Sequence, residues 1–480
     1  MESLKEKTAK GLFWGGMNNG IQQLVGLVFG IILARLLSDS DYGMMAMISV
    51  FSLIATELQS SGFKTALANL KDPQPEDYNS VFWFNIIVGT SIYIILFFSA
   101  PLIADFYHTP ELIPLCRYAF LGFVFSSFGC AQSARLFKNI MAKQQAQTGM
   151  IAVLLSSTIG VIMAWQGFSY WALATQTNVY VLTCTLLYWH YSDWRPNFKI
   201  DFGPVRKMFR FSCKILASAI LVHINNNVLN ILLGRFFGTS SAGNYNQAYQ
   251  WNFKCFSLIQ GMIQQVAQPV LVEIRDDEER RMRVFRKMMR FTAFISFPLL
   301  FGLSLVSEEF IIIAITEKWL VSAGMLKMLC INGAFMPLGT LMSNMVISRG
   351  NSGTYMWSSV MFGIAQISLM VILYPYGIIR MVEAYVALNI LWVFIWDFIV
   401  WRFIGYNPLM FIKDIAPYLL SAAAVMYATY FITSGFDNLV LLLISRIIIA
   451  TLLYYVVMRV AGSVILKECT EFAMKKFKHS

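Results

Sequence analysis

Lys254 stands about eleven residues into an apolar stretch covering 243–268. That is near the middle of what a membrane helix would bury, where a lone ammonium costs roughly 2.5–3.5 kcal/mol. It cannot snorkel to water from that depth, and no acid on the same stretch offers a partner. It must therefore face a hydrated cavity or an anion, and an ammonium attracts phosphate as a point charge. Gln250 and Asn246 precede it at strict four-residue spacing, and Gln264, Gln265 and Gln268 continue the stripe more loosely. Two other apolar stretches carry amides at similar depth. Asn18, Asn19, Gln22 and Gln23 form two i,i+4 pairs, and His223, Asn225, Asn226, Asn227 and Asn230 cluster in the other. Amides both donate and accept, which suits sugar hydroxyls. Any one of them reads equally well as hydrogen-bond glue between helices. Three stripes together point to a shared polar cavity for an anionic, hydroxyl-rich ligand bound without covalent chemistry.

Acids are sparse in the apolar stretches. Glu57, Glu383 and Asp397 stand out, the last two near helix ends. Glu57 is the candidate for coupling to a proton or cation; the competing reading pairs it with a neighbouring helix. The outer turns carry Asp39, Asp41, Asp105, Glu111, Glu308, Glu309, Glu317 and Asp437, with no companion nucleophile or metal cluster. A polytopic glycan polymerase or ligase needs such a constellation, so no enzyme is expected. Cysteines at 116, 130, 184, 213, 255, 330 and 469 include no CxxC pair. Neither a disulfide framework, a metal site nor a cofactor is expected. Arg117, Lys327 and Arg446 lie close to outer span ends and are expected to snorkel.

The elements that position these groups follow from composition. The chain has 480 residues, 57% hydrophobic and only 13% charged, against about 25% charged in soluble domains. It could not cover itself as a water-soluble globule, and the apolar excess excludes disorder. The reading is an all-α polytopic membrane protein. Candidate spans lie at 12–34, 42–63, 80–100, 112–133, 146–165, 168–189, 213–234, 243–268, 291–307, 320–346, 354–375, 380–402, 413–434 and 438–460. Turn chemistry separates them at Ser38-Asp39-Ser40-Asp41, Asp72-Pro73-Gln74-Pro75, Arg349-Gly350-Asn351-Ser352-Gly353 and Asn407-Pro408. The polar segments 190–212 and 269–290 are basic and expected to lie as helices along the membrane surface. Lys5, Lys7 and Lys10 lead into a run too long for a signal peptide, so it is expected to be the first anchor.

The net charge of +11 belongs to topology rather than to nucleic acid. With the N-terminus cytoplasmic, 29 of the 37 basic residues fall in inner segments. Arg35, Arg235, Lys318 and Arg380 fall outside, and four lie within spans. An odd helix count would scramble that alternation, so about fourteen helices with both termini cytoplasmic are expected.

An internal repeat is visible at a constant offset of 200. Leu33, Arg35, Ser40 and Gly43 match Leu233, Arg235, Ser240 and Gly243. Six helices per unit keep both units in one orientation, a parallel pseudo-twofold repeat. The expected organisation is an N-terminal lobe at 1–195, a C-terminal lobe at 196–405, and two further helices with a basic cytoplasmic tail at 406–480. The Arg35 and Arg235 turns are gate candidates; the competing reading is that both arginines anchor helix ends.

At Ile32-Leu33-Ala34-Arg35-Leu36-Leu37-Ser38, Asp41-Tyr42-Gly43 and Ala46-Met47 the sequence resembles the polysaccharide exporter family of the multidrug/oligosaccharidyl-lipid/polysaccharide superfamily. Val81-Phe82-Trp83-Phe84-Asn85, Ala100-Pro101-Leu102-Ile103-Ala104-Asp105-Phe106-Tyr107 and Gly167-Phe168-Ser169-Tyr170-Trp171-Ala172-Leu173 extend the resemblance. It covers nearly the whole chain and is strongest over 10–190. It implies a flippase that carries undecaprenyl-pyrophosphate-linked oligosaccharides across the bacterial inner membrane by alternating access, alongside other glycan-assembly proteins. Such flippases place cavity cations on helices 1, 2 and 8. Lys254 matches the last, whereas helices 1 and 2 here have only Arg35 and Lys64 at their ends. The alternative in the same superfamily, a cation-coupled drug exporter, predicts an essential carboxylate, for which Glu57 is the candidate.

Overall fold

Hydropathy predicts helices, and helices without strands make up the described residues. The structure, a computed structural model, describes residues 4–60, 67, 73–198, 201–273 and 277–479. The first elements are α1 (Leu4–Leu36), α2 (Asp39–Ser60) and α3 (Pro75–Tyr107). Three short helices follow, α4 (Leu112–Ala119), α5 (Leu121–Ser127) and α6 (Cys130–Lys138), then α7 (Ala142–Trp165) and α8 (Tyr170–Tyr191). The run α9 (Gly203–Glu273) is two helices meeting at Gly238, whose φ of 81° and ψ of −174° leave the helical region. Beyond it come α10 (Glu278–Leu305), α11 (Ser307–Ile315), α12 (Leu320–Ser348), α13 (Ser352–Leu373), α14 (Ile378–Ile404), α15 (Pro408–Ile432), α16 (Leu439–Val460) and α17 (Val464–His479).

Over the described residues, every expected span coincides with a helix or helix set; residues 61–63 of the span at 42–63 lie outside them. Nine described helices are long and apolar enough to cross a membrane by length and composition, or ten with the bent α4–α6 segment. The expected span at 112–133 is a bent one. Its two parts, Leu112–Ser127 and Cys130–Lys138, meet at 46°, with Gly129 at the joint against Thr185. A Cβ on Gly129 would lie 3.0 Å from the Thr185 hydroxyl, so glycine permits the close approach.

The turn signals work as caps. Ser38 and Asp41 form a reciprocal box: the Ser38 hydroxyl accepts from the Asp41 amide at 3.2 Å, and the Asp41 carboxylate accepts from the Ser38 amide at 2.8 Å. Asn407 accepts from the Met410 amide at 2.8 Å, with Pro408 opening α15. Gly350, at φ 80°, makes the turn after α12. The expected surface helices at 190–212 and 269–290 are helical over 203–212, 269–273 and 278–290, and the stretch 192–197 is the correction. Residues 192–197 are non-helical, while 203–212 and 278–290 simply continue long helices. The connection is held because Trp83 Nε1 donates to the Asn197 carbonyl at 2.7 Å and Asn79 accepts from the Asn197 amide at 2.9 Å.

By packing, the chain falls into two compact units, residues 1–243 and 244–480. In the first, α7 packs against both α1 and α8. Its core gathers Met47, Ile48, Ile103, Tyr107, Leu115 and Phe120 from α2 to α5. In the second, α12 is enclosed by α10 and α14, and α15 packs on α10. Phe285, Phe297, Leu326, Leu341 and Met345 are fully buried there. Phe98, Leu102, Leu420, Leu452 and Val460 stay exposed, as expected of side chains facing hydrocarbon.

Arg446 corrects the snorkelling expectation. Its guanidinium is buried, 2.5 Å from the Glu309 carboxylate and 3.1 Å from the Leu305 carbonyl. A buried acid on α11 satisfies the charge, so the side chain has no need of water. Arg117 instead lies 4.3 Å over the Phe97 ring, and Lys327 is exposed.

Candidate functional site

In the first unit, Asn18 and Gln22 of α1 face α7. Gln22 Nε2 donates to Asn18 Oδ1 at 2.8 Å, so these two form the i,i+4 pair that spacing suggested. A Cβ on Gly149 of α7 would sit 2.3 Å from Gln22 Nε2, so a bare backbone makes room for them. Gln23 is exposed, and the Asn19 side chain lies outside the described residues.

The α9 cluster divides by role. Asn230 is buried and donates to the Ala46 carbonyl of α2 at 3.1 Å, while Asn227 donates to the His223 carbonyl at 2.9 Å. Asn225 is buried and Asn226 exposed. Asn230 therefore serves helix packing, and Asn226 keeps its amide available. His223 Nε2 lies 3.1 Å from Glu57 Oε1, bringing the coupling candidate to a titratable neighbour on another helix. Both side chains remain partly accessible.

The repeat region forms a close crossing. A Cβ on Gly43 would lie 1.8 Å from the Thr239 carbonyl oxygen, and one on Gly243 would lie 1.8 Å from the Asp39 carbonyl oxygen. Each glycine and each carbonyl is related to its counterpart by the offset of 200. Two helix starts thus touch backbone to backbone across a local pseudo-twofold, and Ser240 donates a short hydrogen bond to Asp39. Arg235 meets the His108 imidazole, with its guanidinium 5.3 Å over Phe106. Arg35 is exposed at the end of α1. Of the repeat residues read in the sequence, the glycines rather than the arginines make this contact.

Sequence reasoning missed a neutral chamber of about 400 Å³ in this unit, lined by Gln59, Asn85, Ser126, Ser133, Thr177 and Tyr180 among others. Gln59 organises one wall, donating to the Phe123 carbonyl at 2.8 Å and accepting from Ser126 at 2.8 Å. Among the described lining residues there is no Asp, Glu, Lys, Arg or His. Ser52, Thr56 and Gln59 recur at helical spacing, a periodic signal that could have revealed it.

In the second unit Lys254 is half-buried, its Nζ 4.4 Å from the Trp251 ring centroid. No described carboxylate pairs with it. Gln250, one turn earlier, is exposed. Tyr245, Tyr249 and Phe253 stack along the same helix at centroid distances of 6.1 Å. Asn252, unnoticed in the sequence, is buried against Gly333, where a Cβ would meet its Oδ1 at 2.2 Å. The side chains of Gln264, Gln265, Gln268 and Lys64 lie outside the described residues. Among those described, no three His, Cys, Asp or Glu side chains gather as a metal site.

Against this helical scaffold, the similarity to known proteins becomes informative. The chain is 27% identical to the lipopolysaccharide biosynthesis protein WzxC of Escherichia coli (strain K12), over 72% of this chain and 71% of that one. It is 23% identical to the succinoglycan biosynthesis transport protein ExoT of Rhizobium meliloti (strain 1021), over 92% and 90%. Its fold matches the lipid II flippase MurJ in an inward closed conformation, with a TM-score of 0.74 at 16% identity, covering 93% of this chain and 98% of that one. A family model described as polysaccharide biosynthesis protein matches residues 32–324. That match takes in more than half of the chain, which therefore belongs to the polysaccharide biosynthesis protein family.

Proposed function

We propose that this protein is a flippase for a lipid-linked oligosaccharide. It moves an undecaprenyl-pyrophosphate-linked glycan from the cytoplasmic to the outer face of the bacterial inner membrane, with both termini cytoplasmic. The physical problem is that a large polar head cannot enter hydrocarbon without losing its hydrogen bonds to water. The lobes at 1–195 and 196–405 alternate in access, 406–480 is an appendix, and other glycan-assembly proteins supply and consume the substrate.

One observation carries the reading: in a polysaccharide-family chain, Lys254 of the expected span 243–268 is half-buried and has no described carboxylate partner. A cation kept there without a counterion is suited to a ligand that brings its own negative charge, and pyrophosphate does. Gln250, Asn18, Gln22, Gln23, Asn226 and Asn227 supply amides for sugar hydroxyls; Asn19 and Asn225 remain in the same proposal, with Asn230 as a support. The Glu57–His223 contact is the coupling element, and the Arg35 and Arg235 turns with their glycines close the outer side.

The test is lipid extraction from a deletion strain complemented with wild type, Lys254→Ala or Lys254→Arg. A pyrophosphate-linked oligosaccharide should accumulate in the deletion, clear with wild type and arginine, and persist with alanine. Intact surface glycan without accumulation, together with raised drug sensitivity, would replace this reading with a drug exporter and direct attention to Glu57.

A further inference from the structure

A charged cavity lies in the second unit, and Lys254 is not part of its described lining. It measures about 440 Å³ and sits where α10, α15, α16 and α17 end together. Arg283, Arg286, Lys287 and Arg290 form one stripe of α10 at helical spacing, and Lys413 faces them from α15.

Their pairing leaves a fixed surplus of charge. Asp414, fully buried, takes two arginines: Arg286 donates from Nε at 2.8 Å and Nη2 at 2.9 Å, and Arg290 from Nε at 2.6 Å. Tyr406 adds a hydrogen bond at 3.2 Å, and burial beside Asp414 pushes its phenol well above the ordinary range. Lys287 pairs with Glu468 of α17 at 2.8 Å. Arg283 and Lys413 have no described carboxylate partner. Among the described lining residues, five cations against two carboxylates leave a charge of +3. The remaining guanidinium N–H groups are held in place by Asp414, so a ligand need not order them.

We propose that this cavity binds the phosphate headgroup of an anionic membrane lipid. The cationic rim meets phosphate oxygens, while Tyr418, Met458 and Ile465 supply an apolar wall that would continue into acyl chains. A free phosphate would gain nothing from that wall. The basic-residue distribution puts this end of the helices on the cytoplasmic side, where anionic headgroups attract juxtamembrane cations. The inference does not depend on the transport reading.

The test uses the full chain in detergent. Native mass spectrometry follows occupancy during titration with dioleoylphosphatidylglycerol, dioleoylphosphatidylcholine or pyrophosphate, for wild type and an Arg283→Gln/Lys413→Gln variant. Wild type should retain one phosphatidylglycerol in preference to phosphatidylcholine. At about 1 kcal/mol per cation, the variant should bind it on the order of 30-fold more weakly. Equal retention of the two lipids by wild type, or unchanged phosphatidylglycerol binding by a variant of unchanged Tm, overturns the proposal. Variant-sensitive binding of pyrophosphate tighter than of either lipid also overturns it, in favour of a soluble anion. Should the double variant melt lower, Lys413→Gln alone replaces it, with about a fivefold loss expected.

Discussion

Gly43→Ala puts a methyl group where the Thr239 carbonyl oxygen is only 1.8 Å away. Real Cβ atoms essentially never approach within 3.0 Å, and the obstacle is backbone, so the crossing must open by at least about 1.2 Å. Overpacking of this kind costs about 1–3 kcal/mol. If the crossing is the outer closure of an alternating-access cycle, that strain falls on the closed state and is relieved on opening. A bias of about 2 kcal/mol shifts the equilibrium roughly 30-fold toward the open state. The assay is the labelling rate, from outside the cell, of a single cysteine at Ser241 by a membrane-impermeant maleimide. Gly43→Ala should raise that rate by about 5- to 150-fold, and Gly243→Ala, which meets the Asp39 carbonyl at the same 1.8 Å, should do likewise. Gly26→Ala is the control, because no heavy atom lies within 4 Å of its added methyl. Equal labelling of the Gly43 and Gly26 variants, with both melting like wild type, would refute the closure.

Other expectations concern stability. Glu309→Gln strands the buried Arg446 charge and should cost about 3–5 kcal/mol; replacing both with Leu should recover much of that loss, and a Glu309→Gln variant melting like wild type would contradict the pairing. Arg135, donating to Asp193 at 2.6 and 2.9 Å and adding its charge, holds the Asp193 carboxyl below its ordinary value of 3.8. A depressed carboxyl contributes stability that is present above its unfolded pKa and lost as pH falls through the folded one. Asp193→Asn should therefore melt slightly lower at pH 7 and converge with wild type well below pH 3.8; because Asp193 is exposed, added salt should shrink the gap. A difference that persists unchanged at low pH would rule out this cause.

Much of the scaffold was legible in the chain itself. Apolar runs located the helices because hydrocarbon admits only backbone that satisfies its own hydrogen bonds. Ser38-Asp41 and Asn407-Pro408 marked helix starts because capping is local chemistry, complete within four residues. The Asn18–Gln22 pair followed from helical spacing.

Tertiary structure decided what lies far apart in sequence. Arg446 was read as a snorkelling residue because its partner, Glu309, lies 137 residues away on another helix. Asp414 stood at the edge of an expected span and drew no notice, yet it is the buried carboxylate that holds Arg286 and Arg290 together. The repeat at an offset of 200 could be read linearly, but not the crossing that brings Gly43 onto Thr239 and Gly243 onto Asp39. Hydropathy measures each residue against lipid and periodicity measures it against its own helix. Charge pairing, close backbone approach and cavity lining depend on which helix arrives from elsewhere, and packing alone settles that.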